Sequence, residues 1–430
     1  MLRISKTLFA LLIALMLMAG MVNAQEDVTL TLWTHDGLYV EFFSARAEEW
    51  AAEYHPDINF TFDFQVVTDV DTVVLSNLAA GEPLPDILGI EQGQFPRYMR
   101  DGIIDQAFVN LTDLIGDKYD EIAEGRWTLY NYEGGIYGVD SGLSTVAYFY
   151  QPAVLESVGA EVPTTWSEFL ETGAAAAEQG TSLAFISDDA SMFQMYFLQR
   201  GGQVFDVDGN FVFGEEANRE IALEVLDLWR QGVDSGAFET FLTGEMWTAT
   251  PIEEYQSGQL AGSIMADWYG DYIIKPQAED MAGEWRIAPM PVWDDGEGLG
   301  TSVWGGTGFA VSKDSPNAEL AWELIDYGFL TYEGQVLRYE EIGYYPTMIS
   351  AFEDDRVVGF EDPFYGGQPI GEIWAETVTE VPVWYQSPYR AVWNDAITER
   401  MPLFFDGSMD AQTLIDEVIF IVEDEIAFDS

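Results

Sequence analysis

The chain contains no cysteine and only two histidines, His35 and His55. Without cysteine it can form no disulfide, no thiolate metal site and no thiol nucleophile. Two histidines also disfavour a Ser-His-Asp triad and a histidine-based zinc site. The G-x-S-x-G, H-E-x-x-H and G-x-x-x-x-G-K-[ST] motifs are absent from the sequence. These absences argue against the common hydrolase, metalloenzyme and nucleotide-binding classes, and we expect no cofactor and no metal.

Basic residues are scarce. The sequence has 17 Lys and Arg against 75 Asp and Glu, which gives a formal net charge of −58. Such a surface repels nucleic acid, anionic lipid and phosphate-rich ligands. The acidic residues are scattered along the chain and do not form a tail, which is typical of a solvated surface. Because ~1 M salt shortens the Debye length to ~3 Å, we predict a protein adapted to a saline exterior, with no nucleic-acid partner.

The N-terminal segment has the pattern of a signal peptide. Arg3 and Lys6 precede the apolar run Leu8–Met18, and small residues end the segment at Ala24. The apolar run is shorter than the ~20 residues that a membrane-spanning helix needs. We therefore predict a signal peptide over residues 1–24, cleaved after Ala24, and an exported protein in the periplasm or outside the cell. No cysteine follows the cleavage point, so the usual lipid anchor is not expected.

The remaining chain alternates strand-like and helix-like segments. With 430 residues, of which 48% are hydrophobic, it has enough material for two domains. Val28–Trp33, Asn59–Gln65 and Pro85–Ile90 read as strands separated by helices, with the three phenylalanines of the second strand facing inward. This β-α-β-α-β order is typical of a parallel sheet covered by helices. A second series begins near Thr165, which with Glu168 forms a capping box.

The stretch 286–315 predicts how the two series are joined. The apolar runs Ile287–Pro291 and Phe309–Val311 flank an acidic, glycine-rich excursion, and Ser315 is a candidate cap for the helix that follows. We predict that the chain leaves one α/β unit through the first run and returns to the earlier unit through the second. Two lobes would then enclose a cleft, with Trp304 at its edge. A surface hairpin within one domain remains an alternative.

Residues that follow predicted strands are the candidate site residues, because ligands of open α/β sheets bind beyond the carboxyl ends of strands. Aromatic rings can stack on the apolar C–H faces of a neutral sugar, while carboxylates and amides accept hydrogen bonds from its hydroxyls. An arginine would add a fork of donors. Tryptophans on helix faces are expected in the core instead: Trp50, Trp166, Trp229 and Trp322. The strand-end and loop candidates are Trp33, His35, Asp36, Glu91, Gln92, Asp189, Trp268, Trp304 and Arg390.

Several stretches, in a fixed order, carry a resemblance to a known family. They are LTLWTHDG, LAAGEPLPDILGIEQGQFPRY, VPTTWSEF, FLQRGGQVFDVDGNFVF, YQSGQLAGSIMADWYG, WGGTGFAVSKDSPNAELAW, IGYYPT and WNDAITERMPLFFDGSMDAQTLIDEV. Each stretch alone is a weak match, but their order along the chain is specific to one family. Together they span nearly the whole mature chain. The chain resembles the extracellular solute-binding proteins of carbohydrate ABC importers, which include the maltodextrin-binding proteins.

The resemblance implies an α/β, two-lobed periplasmic-binding-protein-like fold of type II, with a ligand cleft between lobes that are joined by hinge crossings. Lobe 1 would comprise residues 25–142 and 291–343, and lobe 2 residues 143–290 and 344–430, with hinges near Gly142, Pro291 and Tyr344. It also implies ligand contacts at His35, Asp36, Glu91, Gln92, Asp189, Trp268, Trp304, Gly305, Gly306, Tyr344, Tyr345, Tyr389 and Arg390. The implied partners are a carbohydrate ligand and ABC permease subunits, and the protein would be a monomer.

The function that we expect is capture of a mono- or oligosaccharide by hinge closure and its delivery to an ABC importer. A secreted glycoside hydrolase remains an alternative, because it needs only two carboxylates. A binding protein for a polyol or glycerol phosphate, or a sensor domain that serves a receptor, also remains open. The segment Asp206–Asn210 begins like a calcium loop but lacks its later ligands, so we interpret Asp208-Gly209 as a hairpin turn.

Overall fold

The computed structural model describes residues 26–429, so the predicted signal peptide lies outside the described residues. Strands are numbered in chain order. They are β1 (Glu26–Thr34), β2 (Ile58–Val66), β3 (Ile87–Glu91), β4 (Asn131–Tyr132), β5 (Gly135–Ile136), β6 (Val139–Asp140), β7 (Val146–Tyr150), β8 (Ala184–Ser187), β9 (Phe238–Phe241), β10 (Gly262–Ala266), β11 (Arg286–Ala288) and β12 (Thr307–Val311).

Many of the helices connect successive strands along the chain, and several follow the last strand, β12. The longer ones are Gly37–Tyr54, Val70–Ala80, Trp166–Ala177, Ala190–Gln199, Glu216–Ser235, Thr250–Ser257, Ala318–Phe329, Tyr332–Ile342, Ile370–Thr377, Arg390–Phe405 and Ala411–Asp429. Shorter α-helices are Ile103–Ala107, Thr112–Ile115, Glu124–Trp127, Pro152–Ser157, Thr243–Met246, Lys275–Gln277 and Asp355–Val358, and a π-helical turn spans Gly270–Ile274. Within residues 26–429 no helix is both long and apolar enough to cross a membrane.

Lobe 1 is built on a five-stranded sheet in the order β2-β1-β3-β12-β6. β1 pairs in parallel with β2 and β3, whereas β12 runs antiparallel to β3 and β6. Leu30 and Leu32 are fully buried, as the two-residue period of β1 predicts. The expected β-α-β-α-β order of this lobe is confirmed. β2 is an edge strand, so its phenylalanines are only half-buried, although Phe64 packs against Phe43 of the first helix.

Lobe 2 is built on the antiparallel sheet β10-β7-β11 and the parallel pair β8–β9. A bridge between Ser182 and Leu260 connects the two. The helix Trp166–Ala177 begins at the predicted capping box. The Thr165 hydroxyl accepts from the Glu168 N–H at 3.2 Å, and the Glu168 carboxylate accepts from the Thr165 N–H at 3.3 Å. This local signal was therefore read correctly from the sequence.

Three backbone segments pass between the sheets. The first joins β6 to β7, the second joins β11 to β12, and the third lies at Tyr345, whose carbonyl accepts from the Leu143 N–H at 3.0 Å. The pairing of β12 with β3 confirms the predicted return of the chain to its first unit, and the single-domain hairpin is wrong. Residues 299–302 still bond to lobe 2, since the Ser302 hydroxyl donates to the Met195 carbonyl at 2.6 Å. The second passage therefore lies at residues 303–306. The exact lobe boundaries stay a prediction.

The helix after β12 begins later than the sequence predicts. It starts at Ala318 with Asn317 at the N-cap position, so Ser315 does not cap it. The Ser315 hydroxyl instead donates to the Asp86 carboxylate at 2.6 Å and accepts from the Asn317 N–H at 3.0 Å. The Ser315 hydroxyl is therefore bound to the charged carboxylate of Asp86, which comes from a distant part of the chain.

The core holds most of the tryptophans that were expected there. Trp50, Trp166 and Trp229 are at most 2% exposed, whereas Trp322 is half-buried at the edge of the core. The turn at Asp208-Gly209 is also present: Gly209 has a φ of 78°, and the Asp206 carboxylate accepts from the Asp208 and Asn210 N–H groups at 2.9 Å each. Within residues 26–429 no cluster of three His, Asp or Glu is arranged to hold a metal ion.

Candidate functional site

A cavity of about 730 Å³ lies between the two lobes, where the three crossings meet. Its size falls within the range of small-molecule sites. The walls come from both lobes and from the crossings. They comprise His35, Asp36, Tyr39, Thr68, Asp69, Glu91, Gly93, Gln94, Gly142, Ser144, Asp189, Ala190, Ser191, Trp247, Asp267, Trp268, Tyr272, Ile273, Trp304, Gly305, Gly306, Thr307, Tyr344, Asn394 and Thr398.

The end of β1 supplies His35 and Asp36 to the lobe 1 wall. Asp36 caps the helix Gly37–Tyr54, since its carboxylate accepts from the Leu38 N–H at 2.8 Å. Its other oxygen accepts from the Tyr344 hydroxyl on the third crossing. Burial raises the pKa of Asp36, partly offset by the Tyr344 bond, and burial lowers the pKa of His35. Asp36 thus couples the first strand end to the crossing.

Two carboxylates face the cavity from opposite lobes. Glu91 is the last residue of β3 and accepts from the Gly93 N–H at 2.6 Å, and Asp189 caps the helix Ala190–Gln199 by accepting from the Ser191 N–H at 2.7 Å. Burial raises the pKa of Glu91 to about 7 and also raises the pKa of Asp189. Their backbone bonds hold both groups in fixed positions as hydrogen-bond acceptors for a ligand.

Three tryptophans form the aromatic wall. The ring centroids of Trp247 and Trp268 are 6.1 Å apart, those of Trp247 and Trp304 are 6.1 Å apart, and those of Trp268 and Trp304 are 6.2 Å apart. The Trp268 indole N–H donates to the Trp304 carbonyl at 2.8 Å. A β-carbon at Gly305, whose φ is +87°, would lie 3.0 Å from that indole nitrogen. Glycine at this position therefore permits the backbone to approach Trp268 closely.

Asp267 anchors the aromatic wall to the hinge. Its two carboxylate oxygens accept from the backbone N–H groups of Trp268 at 2.7 Å and Tyr345 at 2.9 Å. Burial raises its pKa to about 7, although both bonds act in the opposite direction. Because one carboxylate binds the end of β10 and the third crossing, it fixes Trp268 relative to the hinge.

Nine of the predicted site residues line this cavity, and five do not. Trp33 lies on β1 and packs against a core cluster of lobe 1. The Gln92 side chain is buried, and its backbone N–H donates to the Gly306 carbonyl at 2.9 Å. The Tyr345 ring is fully buried against Tyr339, with centroids 5.3 Å apart. None of these three side chains lines the cavity: Trp33 is half-buried, and Gln92 and Tyr345 are buried.

Tyr389 and Arg390 also lie behind the cavity wall. The Tyr389 ring is covered by the Arg100 guanidinium at 5.2 Å. Arg390 is fully buried over the Trp384 ring at 4.6 Å, and it donates to the Asn394 side-chain oxygen at 2.7 Å. Burial lowers its pKa to about 9. Arg390 therefore positions Asn394, which does line the cavity, and is not itself part of the lining.

Several lining residues were not selected from the sequence. Asp267 directly precedes Trp268 at the end of a strand, so the strand-end rule could have found it. Tyr39 lies one turn beyond Asp36 on the same helix. Trp247 follows a four-residue helix in a stretch without strand periodicity, and Asn394 lies on a helix near the other end of the chain. For these last two, only tertiary packing brings the side chain to the cavity.

Comparison of the sequence with known proteins identifies relatives that are solute-binding proteins. The sequence profile of the bacterial extracellular solute-binding proteins matches residues 46–359. An arabinooligosaccharide-binding protein of Halalkalibacterium halodurans is 25% identical over 370 residues, which cover 82% of this chain and 79% of that protein. A lactose-binding protein of Rhizobium radiobacter is 25% identical over 437 residues, which cover 99% of this chain and 98% of that protein.

The fold is shared with solved structures. The ABC transporter associated binding protein from B. animalis subsp. lactis, in complex with beta-1,6-galactobiose, superposes with a TM-score of 0.72 at 21% identity, covering 93% of this chain and 97% of that one. The profile match covers strands β2 to β12 and the aromatic wall of the cavity, and it begins after β1. The chain therefore belongs to the family of bacterial extracellular solute-binding proteins.

Proposed function

We propose that this protein captures a neutral mono- or oligosaccharide in the cavity between its lobes and presents it to the permease of an ABC importer. The observation that carries this proposal is the composition of the cavity: the aromatic rings of Trp268 and Trp304 and the fixed carboxylates of Glu91 and Asp189 line the same space. Indole rings bind the C–H faces of a sugar, and carboxylates accept from its hydroxyls.

The ligand class is supported by charge and by the relatives. Among the described residues, the cavity lining includes no lysine or arginine, so an anionic ligand such as glycerol phosphate would meet no cationic side chain there. Relatives named for arabinooligosaccharide and lactose binding are each 25% identical to this chain, and a protein solved in complex with galactobiose shares its fold. A glycoside hydrolase is not favoured, because the family is one of binding proteins.

Closure of the lobes is the proposed mechanism of capture. Both lobes contribute lining residues to the cavity. Within residues 26–429 three backbone segments pass between the lobes, so a rotation about these crossings would bring the two lobes together around a ligand. The hinges of this proposal lie near Gly142 and Tyr344 and, in place of the predicted Pro291, at residues 303–306, because residues 299–302 still bond to lobe 2. We also propose that the protein is exported by the signal peptide at residues 1–24, that it is a monomer and that it is adapted to a saline exterior.

A thermal-shift screen in molar salt tests the proposal. The protein is first unfolded and refolded to remove carried-over ligand and is then tested against a panel of mono- and oligosaccharides. A sugar at 100 times its dissociation constant should add ~2.7 kcal/mol to the free energy of unfolding. We expect one sugar class to raise the melting temperature and to be recovered intact. A flat panel, or recovery of cleaved sugar, would contradict the proposal.

A further inference from the structure

Trp247 covers the ring of Trp268. The two indoles are nearly parallel, at an interplanar angle of 27°, with their centroids 6.1 Å apart. Trp304 meets Trp247 at 64° and Trp268 at 79°. Trp247 is also the most exposed of the three, with 43% of its surface accessible, whereas Trp304 is 7% exposed. The aromatic wall therefore has one outer ring and two inner rings.

The spacing of the two parallel rings is too small to hold a sugar between them. A sugar ring stacked on both sides needs two carbon–carbon contacts of about 3.5–4.0 Å, or roughly 7–8 Å between the flanking rings. The observed distance between the two ring centroids is 6.1 Å, which is typical of two aromatic rings in direct contact. A sugar can therefore reach this face of Trp268 only if Trp247 moves outward.

The segment that carries Trp247 is held at Thr243 and at Met246 and is loosely packed at Gly244 between them. The Asp188 carboxylate accepts from the Thr243 hydroxyl at 2.6 Å, and Met246 is buried. A β-carbon at Gly244, between these two anchors, would meet no heavy atom within 4 Å. The Trp247 residue is 43% exposed and its ring contacts Trp268 and Trp304, so an outward rotation breaks these two ring contacts and moves the indole toward solvent.

We propose that Trp247 is a specificity-determining ligand contact: it swings away from Trp268, admits one sugar ring and then stacks on the outer face of that ring. This inference rests on the proposed function and assigns a ligand class to the same cavity. A ring held between two indoles must present C–H groups on both faces. An all-equatorial pyranose of gluco or xylo configuration does so, whereas an axial hydroxyl sets a polar oxygen against one indole. The cavity therefore prefers gluco- or xylo-configured oligosaccharides.

Titration calorimetry on the full protein in molar salt tests this inference. The ligands are cellobiose and xylobiose, with mannobiose and galactobiose as axial comparisons. We expect the unsubstituted protein to prefer the first two. Trp247→Ala should weaken their binding about tenfold, or about 1.4 kcal/mol, and should reduce the preference over the axial disaccharides. Trp247→Phe, which keeps a stacking ring, should retain most of the affinity.

The controls separate this inference from the proposed function. Trp268→Ala should abolish binding of every sugar, with unchanged far-ultraviolet circular dichroism. Trp247→Ala and Trp247→Phe should unfold at a similar temperature to the unsubstituted protein in the absence of sugar, because Trp247 is 43% exposed. If Trp268→Ala abolishes binding while Trp247→Ala binds as tightly as the unsubstituted protein, or keeps its sugar preference, the inference is wrong and the proposed function stands. If none of the four disaccharides binds the unsubstituted protein, the inference is overturned, and the broader saccharide panel of the thermal-shift screen decides the proposed function.

Discussion

Arg126 and Asp140 form a buried ion pair at the hinge, in which Nη2 of Arg126 lies 2.8 Å from Oδ2 of Asp140. The two side chains are 2% and 0% exposed. The same guanidinium donates to the Leu143 carbonyl on the first crossing and lies 3.5 Å from the Gly305 carbonyl on the second. One arginine of lobe 1 therefore ties two of the three crossings together.

Substitution Arg126→Met should lower the free energy of unfolding by about 3–5 kcal/mol, because it leaves the Asp140 carboxylate buried without a counter-charge. Urea denaturation in molar salt measures this loss. The control is Arg219→Met, which breaks an exposed pair with Asp416 and should cost at most about 1 kcal/mol. Equal losses in the two variants would show that the buried pair has no special role.

Trp268→Ala should weaken saccharide binding by at least about thirtyfold, or roughly 2 kcal/mol, since truncation of a central aromatic contact has an effect of that order. The far-ultraviolet circular dichroism should remain unchanged. Trp322→Ala is a suitable comparison, because that half-buried ring lies on the helix Ala318–Phe329 outside the cavity lining. It should leave affinity unaltered. Full affinity in the Trp268 variant would move the site elsewhere.

The stability of the protein should depend on the protonation of Glu91. Its pKa is about 7 in the folded chain and 4.5 ordinarily, so the folded state holds a proton in this interval that the unfolded state releases. Stability contributed by this group therefore falls as pH rises from about 4.5 to 7 and stays low above it. Glu91→Gln should remove this loss, and the gain at pH 8 over pH 5 should be on the order of 2–3 kcal/mol.

Urea denaturation at pH 5 and pH 8 checks the Glu91 prediction. The exposed Glu48→Gln should show no such gain at pH 8. Some pH dependence will persist in the Glu91 variant, because burial also raises the pKa of Asp267 to about 7 from 3.8. A Glu91 variant with the same stability difference at both pH values would contradict the assignment of a raised pKa.

Salt should stabilise the protein strongly. With 75 acidic residues and 17 basic residues, most carboxylates have no internal counter-charge, and their mutual repulsion opposes folding. Raising KCl from ~0.1 M to ~1 M shortens the Debye length from ~10 Å to ~3 Å. The melting temperature should rise over this interval, as scanning calorimetry would detect. An unchanged or falling melting temperature would exclude adaptation to a saline exterior.

Local signals of the sequence predicted the fold well. The strand β1 follows a two-residue period, and the Thr165 capping box needs only residues of its own helix turn. Ser315 was misread because its partner, Asp86, is 229 positions away in the sequence. Such a pairing depends on the completed sheet, so no local pattern contains it.

The site was predicted only in part, for a related physical reason. Residues at or just beyond strand ends, such as Glu91 and Trp268, line the cavity because the sheet fixes their position. Tyr345 and Arg390 lie in stretches without a regular period, so the sequence could place them near the cavity but could not assign the direction of their side chains. Trp247 gave no periodic signal at all, and only the packed structure brings it onto Trp268.

The position of β12 in the first sheet also governs the order in which the protein can fold. This strand lies between β3 and β6, yet it ends at Val311, more than 160 residues after β6. The first lobe cannot complete its sheet until about three quarters of the chain has been synthesised. Such long-range pairing makes folding slow. For an exported protein, we therefore expect the first lobe to remain incompletely folded while most of the chain is being made.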